Sequence, residues 1–260
     1  MAPETRLSRR SFLSLAGAVG LAAPAAVATA RAGATPRASA LPLALVYLGP
    51  ACDPGCAFSI GDILASGPSP MRVLYCGPDG DVPITAATLA RASLYVQPGG
   101  GGDDYDAAWR LVQPKAALLR GWVRSGGRYL GICMGGYMAG HGPGYDLLPG
   151  NSWEWTGTPG ASVTGLDPAV VTVNWAGEDR QVFYQDGPCF TLRPGRGGRV
   201  LATYDDGRPA AVVAPCGKGR VLACGVHPEA DPSWYEGLAI SPPARGTLDL
   251  ARAMVAEVHR

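Results

Sequence analysis

Cys133 stands between Gly131 and Gly135, at the point where an apolar run gives way to a segment that can open a helix. Residues 127–132 read as a short buried strand, and residues 134–139 as the start of a helix. A side chain perched on so sharp a turn sits on strained backbone. The residues two before and two after it crowd each other, so both must be small. Gly131 and Gly135 meet that demand as the two glycines of a nucleophile elbow. The turn also aims the helix start, with its unpaired amide N–H groups, at Cys133, an arrangement that favours a thiolate. Such an elbow requires a strand that ends directly in a helix, and the rest of the chain supplies the same alternation.

Residues 43–48, 71–75 and 93–97 are apolar strand candidates. A helix can begin within 59–64, and Thr85 is placed to cap a short one. Residues 103–123 have helical spacing, with Pro114 marking a break or a second start. Strands alternating with helices argue a parallel sheet covered on both faces. From residue 161 to 226 the texture changes to short β-branched runs, at 162–164, 170–174, 181–184, 200–204 and 210–214, which predicts an antiparallel extension. Residues 248–258 form a closing helix. In a sheet of this kind sites belong at the carboxyl ends of the strands, where Gly99, Cys133 and His227 all fall.

His227-Pro228-Glu229 follows the strand pattern of residues 219–226. Proline at 228 pushes His227 toward extended geometry, and residues i and i+2 of an extended segment point the same way. Glu229 can therefore hold the imidazole of His227. The other two histidines are His141, in a Gly/Pro-rich loop after the elbow helix, and His259, one residue from the C-terminus. A third motif is the strand end Gln97-Pro98 followed by four glycines, Gly99 to Gly102. Its backbone can approach a ligand closely, so that the amide of Gly100 and the amide of Met134 would form an oxyanion hole. A thiol, a base and a residue that orients the base are the minimum parts of a nucleophilic hydrolase.

The three motifs in this order, Pro-Gly-Gly after a strand, Gly-Ile-Cys-Met-Gly, then His-Pro-Glu, resemble the class I glutamine amidotransferase-like superfamily. The wider runs Tyr129-Leu-Gly-Ile-Cys-Met-Gly-Gly-Tyr137 and Gly225-Val-His-Pro-Glu-Ala230 are similar to the family named after the N-terminal domain of biotin–protein ligase. The resemblance covers roughly residues 42–257. It implies a flavodoxin-like αβα sandwich, which with the patterns above makes the expected fold α/β with a mostly parallel central sheet and an antiparallel β extension in the C-terminal half. It also implies a triad, here Cys133, His227 and Glu229. Biotin ligation is not expected, because no Gly-Arg-Gly-Arg type adenylate loop occurs. Glutamine-using members follow the elbow with a bulky polar pair ending in Gln, whereas this chain has Gly136 and Tyr137. No ammonia-accepting synthetase domain is expected in the chain.

Ser8-Arg9-Arg10-Ser11-Phe12-Leu13 is a twin-arginine motif, followed by a mildly apolar stretch to Ala30 and a small-residue tail to about Ala40. That order of regions predicts an export signal over residues 1–40, with the glutamine amidotransferase-like domain over 41–260 and delivery to the periplasm or beyond. Ala28-Thr29-Ala30 and Ala38-Ser39-Ala40 both suit cleavage. Membrane contact is expected only through this signal. The whole chain has a formal charge of +1, and five arginines lie in the leader, so the remainder is mildly acidic. Without a basic stripe, nucleic acid is not an expected partner; a small-molecule or peptide substrate is. No Cys/His pair has zinc-ligand spacing and no nucleotide fingerprint occurs, so neither metal nor cofactor is expected.

Of the seven cysteines, Cys52 and Cys56 are the closest pair and would clip the loop after the first strand in an oxidising compartment. Pairing among Cys189, Cys216 and the rest does not follow from sequence. Cys76 and Cys224, in apolar runs, read as small buried hydrophobes. Trp153, Glu154 and Trp155 either wall a substrate cleft or pack under a loop, and the basic turn at 193–199 reads as solvated. The leading expectation is an exported thiol hydrolase acting on an amide or related acyl bond. The alternatives are a secreted binding or scaffold protein of the same fold without turnover, and carbonyl or stress chemistry by a reactive thiol.

Overall fold

The structure is a computed structural model and describes residues 40–100, 102 and 104–260. The leader therefore lies outside the described residues. In chain order the strands are Leu43–Tyr47 (β1), Arg72–Cys76 (β2), Leu94–Gln97 (β3), Arg128–Ile132 (β4), Gly150–Glu154 (β5), Ala169–Trp175 (β6), Glu178–Tyr184 (β7), Pro188–Leu192 (β8), Arg199–Tyr204 (β9), Pro209–Cys216 (β10) and Gly219–Cys224 (β11). The α-helices are Pro54–Ser66 (α1), Ala86–Leu89 (α2), Tyr105–Val112 (α3), Ala116–Arg124 (α4), Met134–Met138 (α5) and Leu248–His259 (α6).

Nine of the strands form one sheet in the order β2-β1-β3-β4-β11-β10-β9-β6-β7. The first five run parallel, which is the flavodoxin-like order with β11 in the fifth place. From β11 outward each neighbour is antiparallel, giving the expected extension. The inner parallel strands are buried along most of their length, as strands covered on both faces must be: β1 and β3 are buried at every position, whereas the edge strand β2 is fully buried only at Cys76. Helix α6 packs on β4, β11 and α1, while α4 packs on β11 and α2. The fold is an α/β flavodoxin-like sandwich.

Helix α1 begins five residues before the expected start near Ser59. Asp53 caps it, its Oδ1 accepting from the Gly55 amide at 2.7 Å, and Pro54 takes the first turn, where its missing N–H costs nothing. Cys56 thus belongs to a helix rather than to a clipped loop. All seven cysteines are free and buried, so the Cys52–Cys56 clip does not form. Thr85 caps α2 through a capping box with Thr88, as its position suggested. Pro114 lies in a 3₁₀ turn, Gln113–Lys115, between α3 and α4.

Residues 162–164 form no strand, contrary to expectation. Instead β5 and β8 pair antiparallel as a separate two-stranded sheet. Trp155, just beyond β5, is fully buried; it stacks on Tyr204 at 3.9 Å between centroids and donates its indole N–H to Asp206 at 2.7 Å. Trp153 points outward, 53% exposed. Of that trio only Glu154 lines the cavity described below. Among the described residues no helix is long and apolar enough to cross a membrane.

Candidate active site

Cys133 leaves β4 with φ 50° and ψ −108°, a left-handed conformation that a side chain adopts only when its surroundings enforce it. Its amide donates to the Cys224 carbonyl at the end of β11 at 2.8 Å, and its carbonyl accepts from Tyr137 at 3.0 Å. The crowding inferred from sequence is real. A Cβ added at Gly131 would overlap the Gly135 carbonyl, and one added at Gly135 would overlap the Gln97 carbonyl at the end of β3. Three strands thus converge under the elbow with no room for a methyl group.

A buried polar network holds this crowded turn. The Tyr129 hydroxyl donates to the Gly135 carbonyl at 2.7 Å. Gln97, wholly buried, donates from Nε2 to the Ala51 carbonyl at 3.2 Å and accepts on Oε1 from the Tyr95 hydroxyl at 2.9 Å. Each member is satisfied, which is the condition under which a buried network rigidifies its surroundings.

His227 emerges two residues after the Gly225 that follows β11. Its amide donates to the Phe183 carbonyl at 2.9 Å, and its ring sits between Phe183, at 5.8 Å, and Trp234, at 5.2 Å. Nδ1 meets Glu229 Oε1 at 2.8 Å, with both residues only 3% exposed. A Cβ at Gly99 would lie 2.5 Å from His227 Cε1 and 3.1 Å from Cys133 Cβ, so the end of β3 touches both side chains at once. Burial alone would push the imidazole toward its neutral form. The Glu229 carboxylate and the Cys133 sulfur more than offset this, and the His227 pKa is pushed up to about 10. Glu229 Oε2 is buried without a hydrogen-bond partner, so His227 is the partner on which that carboxylate depends.

Cys133, Met134 and His227 open into a cavity of about 750 Å³, within the size range of small-molecule sites. Tyr105, Tyr137, Phe183 and Trp234 supply aromatic walls, and Asp53, Glu154 and Asp186 supply carboxylates. Gly100 lines the same space at φ +74°; a Cβ there would fall 2.6 Å from the Asp53 backbone nitrogen. The structure therefore brings Cys133, His227, Glu229, Gly100 and Met134 together over the Gly131–Gly135 elbow. His141 pairs instead with Asp146, and neither it nor His259 lines the cavity. Asp186, Phe183 and Trp234 carry no motif in sequence and arrive through long-range packing. Asp53 was readable only as a helix cap. Among the described residues no group of three or more His, Cys, Asp or Glu is placed to hold a metal ion.

The family model described as "Biotin-protein ligase, N terminal" matches residues 85–147, a stretch that contains the elbow but ends before His227. Over those residues the chain resembles that family. A crystal structure of a glutamine amidotransferase is 20% identical, with a TM-score of 0.50, covering 80% of this chain and 98% of its own. The exo-β-1,4-mannosidase Op5Man5 from Opitutaceae bacterium strain TAV5 is 13% identical, with a TM-score of 0.51, covering 83% of this chain and 36% of its own. A β-galactosidase from Bacillus circulans sp. alkalophilus is 13% identical at a TM-score of 0.48, and this chain spans 30% of its length. The chain thus spans about a third of such glycosidases and nearly all of the amidotransferase. At these identities the likeness shows the fold. No curated protein matches the chain.

Proposed function

We propose that this protein is an exported cysteine-dependent hydrolase, amidotransferase-like in its chemistry, that cleaves an amide or related acyl bond with Cys133, His227 and Glu229 as a catalytic triad. The single observation that carries this reading is the buried convergence of an elbow cysteine with a carboxylate-held imidazole on one cavity floor. In this reaction the thiol proton of Cys133 passes to His227, whose proton affinity Glu229 raises, before the sulfur attacks the carbonyl carbon. The amides of Gly100 and Met134 hold the oxyanion. The bond to the leaving group then breaks, the leaving group takes the proton from His227, and a thioester remains on Cys133. Water enters, gives a proton to His227 and adds to the thioester carbonyl. The acid departs, the sulfur is released and His227 keeps the proton. Free glutamine is not the proposed substrate, since Gly136 and Tyr137 stand where the polar pair of glutamine-using members would be.

The test is labelling of the folded full chain with a panel of electrophilic amides and esters, read by intact mass and peptide mapping. A single acyl adduct on Cys133, absent from Cys133→Ala, is expected, as is fastest alkylation of Cys133 among the seven cysteines under brief iodoacetamide treatment. A different cysteine reacting first in the native protein defeats the proposal. Adducts on Cys133 without any turnover would favour the binding or scaffold reading.

Export is part of the same proposal and is supported by the Ser8–Leu13 motif. Replacing Arg9 and Arg10 by lysine is expected to leave the protein in the cytoplasm with its leader attached. Cell fractionation with an antibody checks this; undiminished delivery outside the cytoplasmic membrane shows that another signal is read.

A further inference from the structure

The cavity above Cys133 is one-sided in charge, although the chain is not. The full sequence has 22 basic and 21 acidic residues. Yet among the described residues the cavity lining contains Asp53, Glu154 and Asp186 and neither lysine nor arginine. The flanking positions repeat the bias. Asp167 lies between the lining residues Leu166 and Pro168, Asp231 precedes the lining Ser233, and Glu236 stands between Trp234 and Leu238. The lining carboxylates come from three separate places: the cap of α1, the end of β5 and the β7–β8 connection. Their convergence is a product of the fold rather than of one acidic segment.

A concave site walled by one sign of charge concentrates ligands of the other sign and repels its own. His227, the one positive group among the described lining residues, is matched by its Glu229 partner and adds no net attraction for an anion. Tyr105 and Tyr137, ring centroids 5.8 Å apart and tilted by 60°, line the same cavity as the carboxylates, as does Trp234 beside the His227 ring. Aromatic faces beside carboxylates suit an organic cation, which they attract through the ring quadrupole while burying its carbon. An anionic substrate, including a free amino acid held by its α-carboxylate, would find no lysine or arginine among the described lining residues.

We infer that the substrate is cationic: an amide or ester whose acyl or leaving part bears a protonated amine or quaternary ammonium group, seated against Asp53 and Glu154 while Cys133 meets its carbonyl. This rests on the acyl-transfer reading above, and its test is arranged so that the two fail differently. Three methanethiosulfonates of similar size, bearing a trimethylammonium, a neutral alkyl and a sulfonate group, are reacted with the folded full chain. Rates at Cys133 are divided by those with free 2-mercaptoethanol, and the neutral reagent normalises for access.

The cationic reagent is expected to exceed the anionic one by at least about tenfold, with the gap narrowing in 0.5 M salt as the field is screened. Glu154→Gln with Asp53→Asn, the latter keeping the cap of α1, should cut the cation-to-anion ratio several-fold. Glu178→Gln, at an exposed ion pair outside the cavity, should not change it. A ratio near one, or an excess for the anion, overturns the charge assignment and leaves the Cys133 chemistry standing. Failure of all three reagents at Cys133 brings down the acyl-transfer reading and the inference with it.

Discussion

His227→Ala is expected to slow acylation of Cys133 by about a thousandfold, and Glu229→Gln by about a hundredfold, within the range that a positioned acid–base group contributes. The larger loss follows from removing the group that accepts the thiol proton. The smaller one follows from leaving that group in place without the carboxylate that raises its proton affinity. With Glu229 neutralised, burial is opposed by Cys133 alone, and the pKa of His227 falls from its native value. The double variant should be little worse than His227→Ala alone, because residues that act as one unit are strongly non-additive. Alkylation rates, taken well below the melting temperature, check all three. Stability supplies a second readout. The folded pKa of about 10 lies above the ordinary 6.5, so the favourable contribution of protonated His227 is complete below about pH 6.5 and is lost as pH rises toward 10. Melting temperature should fall across that window in the native chain and not in Glu229→Gln. A merely structural His-Pro-Glu gives the reverse pattern: lower melting temperatures in both variants with Cys133 reactivity unchanged.

The parts of this site that could be read from sequence are those imposed by short-range sterics. Gly131 and Gly135 announce a crowded turn because no other residue fits, and Pro228 fixes the geometry that lets Glu229 reach His227. Local patterns also placed β1 to β4 within a residue or two, since continuous apolar runs between turn signals leave little choice. What escaped depends on the rest of the fold. β5 lies in a Gly/Pro-rich stretch and β8 opens on Pro188, so neither has a pattern of its own; each is a strand because it pairs with the other. Trp155 resembles its neighbour Trp153 in sequence, yet packing on Tyr204 buries one and leaves the other in solvent. Asp53-Pro54 carried a legible helix-start signal, and the nearby cysteine pair suggested a clip in its place. The acidic cavity wall escaped for the same reason as β5: its members lie far apart in sequence and share no motif.

Gly135→Ala should lower stability by about 3 kcal/mol, the upper part of the usual cost of overpacking. In a domain of this size that corresponds to a fall in melting temperature of roughly 6–12 °C. The reason lies in what the added methyl group meets. At Gly135 it runs into the Gln97 carbonyl, a backbone atom at the end of β3, and a backbone in the centre of the sheet cannot swing aside as a side-chain tip can. Relief requires α5 to move away from β3, which would lengthen the Tyr129 hydrogen bond to Gly135 and shift Cys133 relative to His227. Cys133 reactivity should therefore fall even in the fraction that remains folded. Gly121→Ala gives the internal comparison. Gly121 is exposed within α4, and a Cβ there meets nothing within 4 Å, so the same chemical change should stabilise by up to about 1 kcal/mol through helix propensity alone. Thermal melts of the two variants, with Cys133 alkylation measured on each, separate the steric argument from a general intolerance of substitution. If Gly135→Ala melts with the native chain, the elbow is not crowded, and the reading of Cys133 as a strained, positioned nucleophile loses its physical basis.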